Sequence, residues 1–336
     1  MKVYRIICLG LGLLMAAAAF GQEKRMAVVE TSTCYMRLHP DYESALETQE
    51  LMGTVVEIVG EDGYWREIVS PQPYKAWTTE KTLVEMTPDQ LKEYEDADKY
   101  IFTGLYGHIY VEPEVDSATL CDLVGGDVMR VALNKKGKAV MKGKMAQVVL
   151  PSGRTGWVCK NNVRPLGERV NIRKGDSSEG LVSAEQLERA ICNAWLLRGV
   201  PYLWGGMSSK GVDCSGLVRI SFLMNDILLP RNASQQIFCG KEIEVVRHDI
   251  EGVTETEVKE TYNAEKAAVA IRNLERGDLV FFGNTQTKRI THVGIYLGDG
   301  EIIHASHMVR INSLIPGTDN YYENAHRLIK ACRLCY

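Results

Sequence analysis

The sequence predicts an α+β protein in which two small antiparallel β-barrels precede a domain of helices followed by strands. Three observations carry this. Two similar stretches, Leu51-Met52-Gly53-Thr54-Val55-Val56 and Leu123-Val124-Gly125-Gly126-Asp127-Val128, each lie in a series of short alternating apolar runs broken by Gly, Asp and Pro. From about Asn171 the apolar spacing becomes helical. From Leu279 onward it returns to short β-prone runs separated by Gly-Asp turns.

A length of 336 residues fits two or three domains at about one per 150. The hydrophobic share of 45% and charged share of 24% are those of a folded, water-soluble chain. A formal net charge of -4 provides no basic field for a phosphate backbone, which argues against nucleic acid as a partner. At the N-terminus, Lys2 and Arg5 precede an apolar run from Ile6 to Ala19 and a small-residue exit at Ala19-Phe20-Gly21. This reads as a cleaved export signal over residues 1–21, giving a periplasmic or extracellular protein that starts near Gln22. The run is shorter than the ~20 residues of a spanning helix, and Cys8 lies too early for lipid attachment, so no membrane anchor is expected. Cys332 and Cys335 have the redox-motif spacing but do not open a helix, which favours a structural or incidental role.

In chain order, the first β module occupies residues 22–86 and includes Trp65 and Trp77. A helical linker follows over 87–100, where Thr87 caps a helix beginning at Pro88, Gln90 completes a capping box, and Leu91 and Tyr94 share a face. The second module, 101–168, contains Gly156-Trp157-Val158; Trp77 and Trp157 are expected in the two cores. The third unit, 169–336, opens with a helix over about 184–198, capped by Ser183 and Gln186, with Leu187, Ala190, Ile191, Ala194 and Leu197 as its apolar stripe. A second helix runs from about Asp213 to Asn225 and stops before Pro230. The strands are Leu279 to Phe282, His292 to Leu297 and Glu301 to Ala305, and the polar stretch from Arg247 to Glu265 reads as a long surface excursion.

The chemistry gathers at Asp213-Cys214-Ser215-Gly216, at the start of that second helix. A thiol at a helix N-terminus feels unpaired N–H groups and the positive dipole end, which favour the thiolate; the same N–H groups can receive the oxyanion of an attacked amide. A buried cysteine is usually just a small hydrophobe, so the base matters. His292 and His304 flank the turn Gly298-Asp299-Gly300. If that turn closes a three-residue hairpin, Leu297 faces Glu301, Gly294 faces His304, and the histidines become diagonal neighbours on one face. A one-residue bulge would separate them. On the first register, Cys214, His292 and His304 form a catalytic triad. No ligand spacing matches a zinc motif, and neither metal nor cofactor is expected.

Tyr202-Leu203-Trp204-Gly205-Gly206, Asp213-Cys214-Ser215-Gly216, Leu229-Pro230-Arg231, Arg276-Gly277-Asp278-Leu279, His292-Val293-Gly294-Ile295-Tyr296 and His304-Ala305 together resemble the NlpC-type family of cell-wall cysteine peptidases, over roughly residues 183 to 336. The N-terminal repeats resemble the bacterial SH3-like domains that accompany it. The resemblance implies a papain-like catalytic domain preceded by two small SH3-like β-barrels, with Cys214, His292 and His304 as triad and Tyr202 at the oxyanion. For the subgroup with two SH3-like domains it implies cleavage of peptidoglycan stem peptides between γ-D-glutamate and the diamino acid, preferring a free N-terminal L-alanine. Substrate contacts are then implied for Asp213, Ser215, Trp204 and Ser234, with Gln236 nearby, and for Tyr74 and Glu47 of the first module; Glu43 and Glu50 are rivals to Glu47. Asp213 serves equally as a helix cap or as anchor for an ammonium group. The alternatives are an amidase or acyltransferase with the same nucleophile, or a noncatalytic wall-binding protein.

Overall fold

The computed structural model describes residues 24–246, 254–284 and 286–335. The expected export signal, and residues 247–253 of the expected surface excursion, lie outside them.

Alternation of inward and outward side chains builds the first module as a seven-stranded antiparallel sheet, in the order Leu46–Leu51, Thr33–Arg37, Tyr74–Thr79, Trp65–Ser70, Val55–Asp62, Arg25–Val29, Leu83–Met86. Its core is Ala27, Val29, Cys34, Met36, Val56, Ile58, Ile68 and Ala76. The second is an eight-stranded sheet spanning Lys99–Phe102 to Val163–Pro165 in the chain, around Phe102, Ile109, Leu123, Met129 and Val148. The repeated segments meet each other: Met52 N–H donates to Asp127 Oδ1 at 3.1 Å, and Val128 N–H to the Met52 carbonyl at 3.0 Å. Gly53, at φ +85°, has to be glycine there, because a side chain would run into Val128.

Trp77 and Trp157 are not core residues. Each is half-buried, while its strand neighbours Ala76 and Thr78, or Gly156 and Val158, face inward. With a side-chain period of two, those neighbours place both indoles on the outer face; Trp65 is the buried tryptophan of the first module.

Helix α1 (Pro88–Asp96) has the expected capping box, and its Tyr94 is buried with the hydroxyl donating to the Gly53 carbonyl at 3.2 Å. Helix α2 (Ala184–Leu196), capped by Ser183 and Gln186, packs Leu187, Ala190, Ile191 and Ala194 into the main core. Helix α3 (Cys214–Leu223) is buried along its whole length, because α2, the strand pair Ile290–Gly298 and Glu301–Ser306, and the first module all press on it. After the short α4 (Ala233–Gln236), the expected surface excursion, Arg247 to Glu265, holds α5 (Glu255–Thr261) and the start of α6 (Ala264–Ile271). The signals were local: Thr254 and Glu257 form a capping box, Asn263 caps α6, and Val258, Ala267, Ala270 and Ile271 supply a narrow buried face. A six-stranded antiparallel sheet completes the domain, in the order Lys241–Ile243, Leu328–Arg333, Leu279–Gly283, Ile290–Gly298, Glu301–Ser306, Met308–Ser313.

The strand Leu46–Leu51 ends the first sheet and is buried against this domain. Thr48 Oγ1 accepts from Arg231 Nε at 2.7 Å, Gln49 Oε1 from Met207 N–H at 2.8 Å, and Glu50 pairs with Arg219 at 3.3 Å with both side chains almost wholly buried. Leu51 enters the main core alongside Ile220 and Leu223. The first module therefore forms one wall of whatever lies at the head of α3.

Candidate active site

Cys214 is the first residue of α3. Asp213 caps the helix by accepting from Gly216 N–H at 2.7 Å, and Gly216 packs so closely on the Gly206 carbonyl that no side chain fits. The thiol is neutral in this setting: burial, then the Asp213 carboxylate, push it up to about 11, against the opposing N–H groups of Val293 and Ser215. The helix terminus favours thiolate, and desolvation of the charge opposes it here.

His292 and His304 stand on adjacent strands. The hairpin turns on two residues, Asp299 at φ 51° and Gly300 at φ 79°, with Gly298 opposite Glu301. Leu297 is consequently bulged out of the ladder and does not face Glu301. The tighter turn and the bulge offset each other, so Ile295 faces Ile303 and the Cβ of His304 lies against Gly294. His292 Nε2 and His304 Nδ1 are 2.7 Å apart, and the rings meet edge to face at 79°. Tyr322 packs on both imidazoles at 5.8 and 4.7 Å, and Phe282 lies 5.8 Å from the His292 ring. Burial, with His304 beside it, lowers His292 to about 3; burial lowers His304 to about 4. The Val293 N–H, one residue on from His292, touches the Cys214 thiol, which brings the imidazole pair to the head of α3.

A cleft of about 310 Å³ opens over the sulfur, lined by Tyr202, Trp204, Asp213, Cys214, Ser215, Ser234, Arg289, Glu47 and Tyr74 among others. All the expected site residues except the two histidines line it, and Trp204 is 68% exposed at its rim. Tyr74 donates from its hydroxyl to Glu47 Oε2 at 2.7 Å; burial and that carboxylate push the phenol up to about 12. The rivals lie elsewhere: Glu50 is buried on Arg219, and Glu43 is exposed in the Asp41 turn. Asp213 is heavily engaged, since Oδ1 accepts from Gly216 N–H, Ser215 Oγ and Arg231 Nη1, while Oδ2 accepts from Gly205 N–H and Arg231 Nη2. Its cap role is occupied, and its charge is matched by Arg231. A larger groove of about 580 Å³ beside Pro71, Arg173 and Lys174 has no thiol, hydroxyl or histidine in its lining, so chemistry rather than volume singles out the smaller cleft.

Residues 199–327 match the model of the NlpC/P60 family. They form an NlpC/P60 domain. Over most of its length the chain is similar to the γ-D-glutamyl-L-lysine dipeptidyl-peptidase of Bacillus cereus, at 27% identity over 83% of this chain and 73% of that one. The protein of the same name from Bacillus subtilis is 23% identical over 90% of this chain and 87% of its own. A crystal structure of an NlpC/P60 family protein from Bacillus cereus superposes with a TM-score of 0.68 at 20% identity, covering 93% of this chain and 100% of that one. That likeness concerns the fold and extends through the N-terminal sheets.

Within the NlpC/P60 domain, two contributors, Arg231 and Asn312, escaped the sequence reading of the site, and Gln236, already expected near the cleft, proves to be a brace rather than part of its lining. Arg231 was visible only as part of Leu229-Pro230-Arg231, yet it is buried and binds Asp213, Ser215 and Thr48 at once. Gln236 braces the turn before α4, its amide donating to the Ser215 and Pro230 carbonyls at 3.1 and 2.8 Å. Asn312, on the strand after His304, accepts from that imidazole at 2.9 Å, and no local motif marks it.

Proposed function

We propose that this protein is a cysteine peptidase of the bacterial cell wall that hydrolyses stem peptides between γ-D-glutamate and the diamino acid, starting from a free N-terminal L-alanine. The observation that carries the reading is the cleft itself: a thiol at a helix head, an imidazole pair beside it, and a carboxylate with a tyrosine across from the sulfur. Relatives named γ-D-glutamyl-L-lysine dipeptidyl-peptidase, similar across both N-terminal sheets and the catalytic domain, support the same bond.

In this mechanism His292 takes the thiol proton as the sulfur attacks the γ-glutamyl amide carbon. The developing oxyanion lies against the Ser215 N–H and the Tyr202 hydroxyl. Protonated His292 then returns the proton to the departing amine, leaving an acyl-enzyme that water hydrolyses. Glu47, held by Tyr74, is placed to pair with the ammonium of the terminal alanine, since Asp213 is already matched by Arg231. Arg289, exposed at the same cleft, offers a cation for a substrate carboxylate. The two N-terminal sheets act as SH3-like modules, the first as a cleft wall, in an enzyme exported by a cleaved signal over 1–21.

Mass spectrometry after incubation with L-Ala-γ-D-Glu-diaminopimelate, its N-acetyl form, and a Cys214→Ala control tests the reading. Release of L-Ala-γ-D-Glu from the free-amine peptide alone, and only by the unaltered protein, is expected. An intact free-amine peptide in the presence of reduced protein overturns it.

A further inference from the structure

We infer that Asn312 is a positioning residue that dictates which nitrogen of each active-site imidazole carries the proton, leaving His292 Nδ1 bare for the Cys214 proton. The inference rests on the peptidase reading for its purpose, but its observations are hydrogen bonds alone.

Asn312 Nδ2 donates to the Asn320 carbonyl at 2.6 Å. A carbonyl can only accept, so the amide has one permitted orientation, with Oδ1 turned to His304 Nε2 at 2.9 Å. Oδ1 also only accepts, so His304 Nε2 carries the hydrogen. His304 is neutral in its buried site, which leaves a lone pair on Nδ1. That lone pair faces His292 Nε2 at 2.7 Å, so His292 carries its hydrogen on Nε2 and its own lone pair on Nδ1. Each link has only one chemically allowed direction, set at the end farthest from the thiol.

The sheet register makes the relay. Asn312 faces Ile302, two residues before His304, and so reaches it diagonally; His304 reaches His292 by a like step across the next strand pair. The Asn320 carbonyl that anchors the series also accepts from Ser313 N–H at 3.0 Å, and Asn320 Nδ2 donates to Glu301 at 3.3 Å, so the anchor is itself held. Among the described residues, the other titratable and charged groups that meet the pair are Arg310, opposite His304 on the strand of Asn312, and Tyr322 over both rings, itself beside Cys214. Arg310 further discourages a second proton on His304. A carboxylate at position 312 would instead favour that second proton; both His304 nitrogens would then donate, and His292 would have to present a bare Nε2 and keep its hydrogen on Nδ1, toward the thiol.

The test is two-bond ¹H–¹⁵N spectroscopy of the full chain labelled at histidine, at neutral pH, on the unaltered protein, Asn312→Leu and Asn312→Asp. Both His292 and His304 are expected as Nε2–H tautomers in the unaltered protein, and Asn312→Asp is expected to show doubly protonated His304 with Nδ1–H His292. In peptide hydrolysis Asn312→Asp should lower kcat roughly 100-fold, the contribution of a general base in its working protonation state, with KM nearly unchanged and the acid limb of kcat moved to higher pH. Asn312→Leu, lacking the acceptor, should show mixed tautomers. His304 with Nδ1–H in the unaltered protein, or both variants keeping its tautomers and pH profile, would overturn the inference. The spectra need no substrate, so a protein that cleaves a different bond still answers the question.

Discussion

Arg231 holds both carboxylate oxygens of Asp213, Nη2 to Oδ2 at 2.6 Å and Nη1 to Oδ1 at 3.0 Å, while its Nε reaches Thr48 of the first module at 2.7 Å. One buried guanidinium thereby joins the cap of the Cys214 helix to the neighbouring sheet. Removing it by Arg231→Met strands a buried carboxylate, and a loss of about 3–5 kcal/mol in urea unfolding is expected. Arg231→Lys should restore little, because a single ammonium cannot span two carboxylate oxygens and a hydroxyl. Adding Asp213→Asn to Arg231→Met should recover part of the loss; no recovery would mean that the pairing is not what the arginine contributes.

Glu50 and Arg219 make a second buried pair across the same boundary, at 3.3 Å. Glu50→Leu alone should destabilise by about 3–5 kcal/mol, whereas Glu50→Leu with Arg219→Leu should lie much closer to the unaltered protein, since no charge is then left unpaired. A double-mutant cycle in chemical denaturation measures this, and simple additivity of the two losses would refute it.

A neutral thiol beside neutral imidazoles predicts a particular alkylation profile. With Cys214 at about 11 and His292 at about 3, the rate of iodoacetamide modification should climb with pH through the neutral range, about tenfold per unit between pH 7 and 9. A plateau beginning near pH 5 would instead reveal a pre-formed thiolate–imidazolium pair.

The same histidines couple folding to acid. Both hold fewer protons folded than unfolded below the ordinary imidazole value of 6.5. Their contribution to stability is complete above that value and is lost progressively as pH falls toward about 3. Thermal unfolding should show Tm falling from pH 7 to pH 4, and His292→Gln with His304→Gln should flatten that slope. An equally steep slope in the double variant would assign it to other groups.

Glu47→Gln keeps a hydrogen-bond acceptor for Tyr74 but removes the negative charge. For the free-amine peptide KM should rise about tenfold or more, with kcat much less affected, the loss expected of one charge-assisted contact. Discrimination against the N-acetyl peptide should narrow accordingly. Unchanged discrimination would move the amine site away from Glu47.

What could be read from the sequence was what neighbours along the chain decide. The capping boxes at Thr87 and Ser183, the helix head at Cys214 and the histidine pair depend on spacings of a few residues or on strand parity, and the structure contains each. Thr254 and Glu257 were equally legible, but with Val258 as the one buried residue behind them no apolar period revealed α5. Parity cut the other way at Trp77 and Trp157, where Ala76 and Thr78, and Gly156 and Val158, claimed the inner face. Tertiary structure alone decided the rest. It brought Glu47 rather than Glu43 or Glu50 to the cleft, matched Asp213 with Arg231, set Asn312 behind His304, and made the thiol neutral by burying it. These outcomes depend on which distant surfaces exclude water together and on which buried polar groups must then find partners. Such pairings follow from the closed packing of two sheets and three helices around one site, and no local spacing records them.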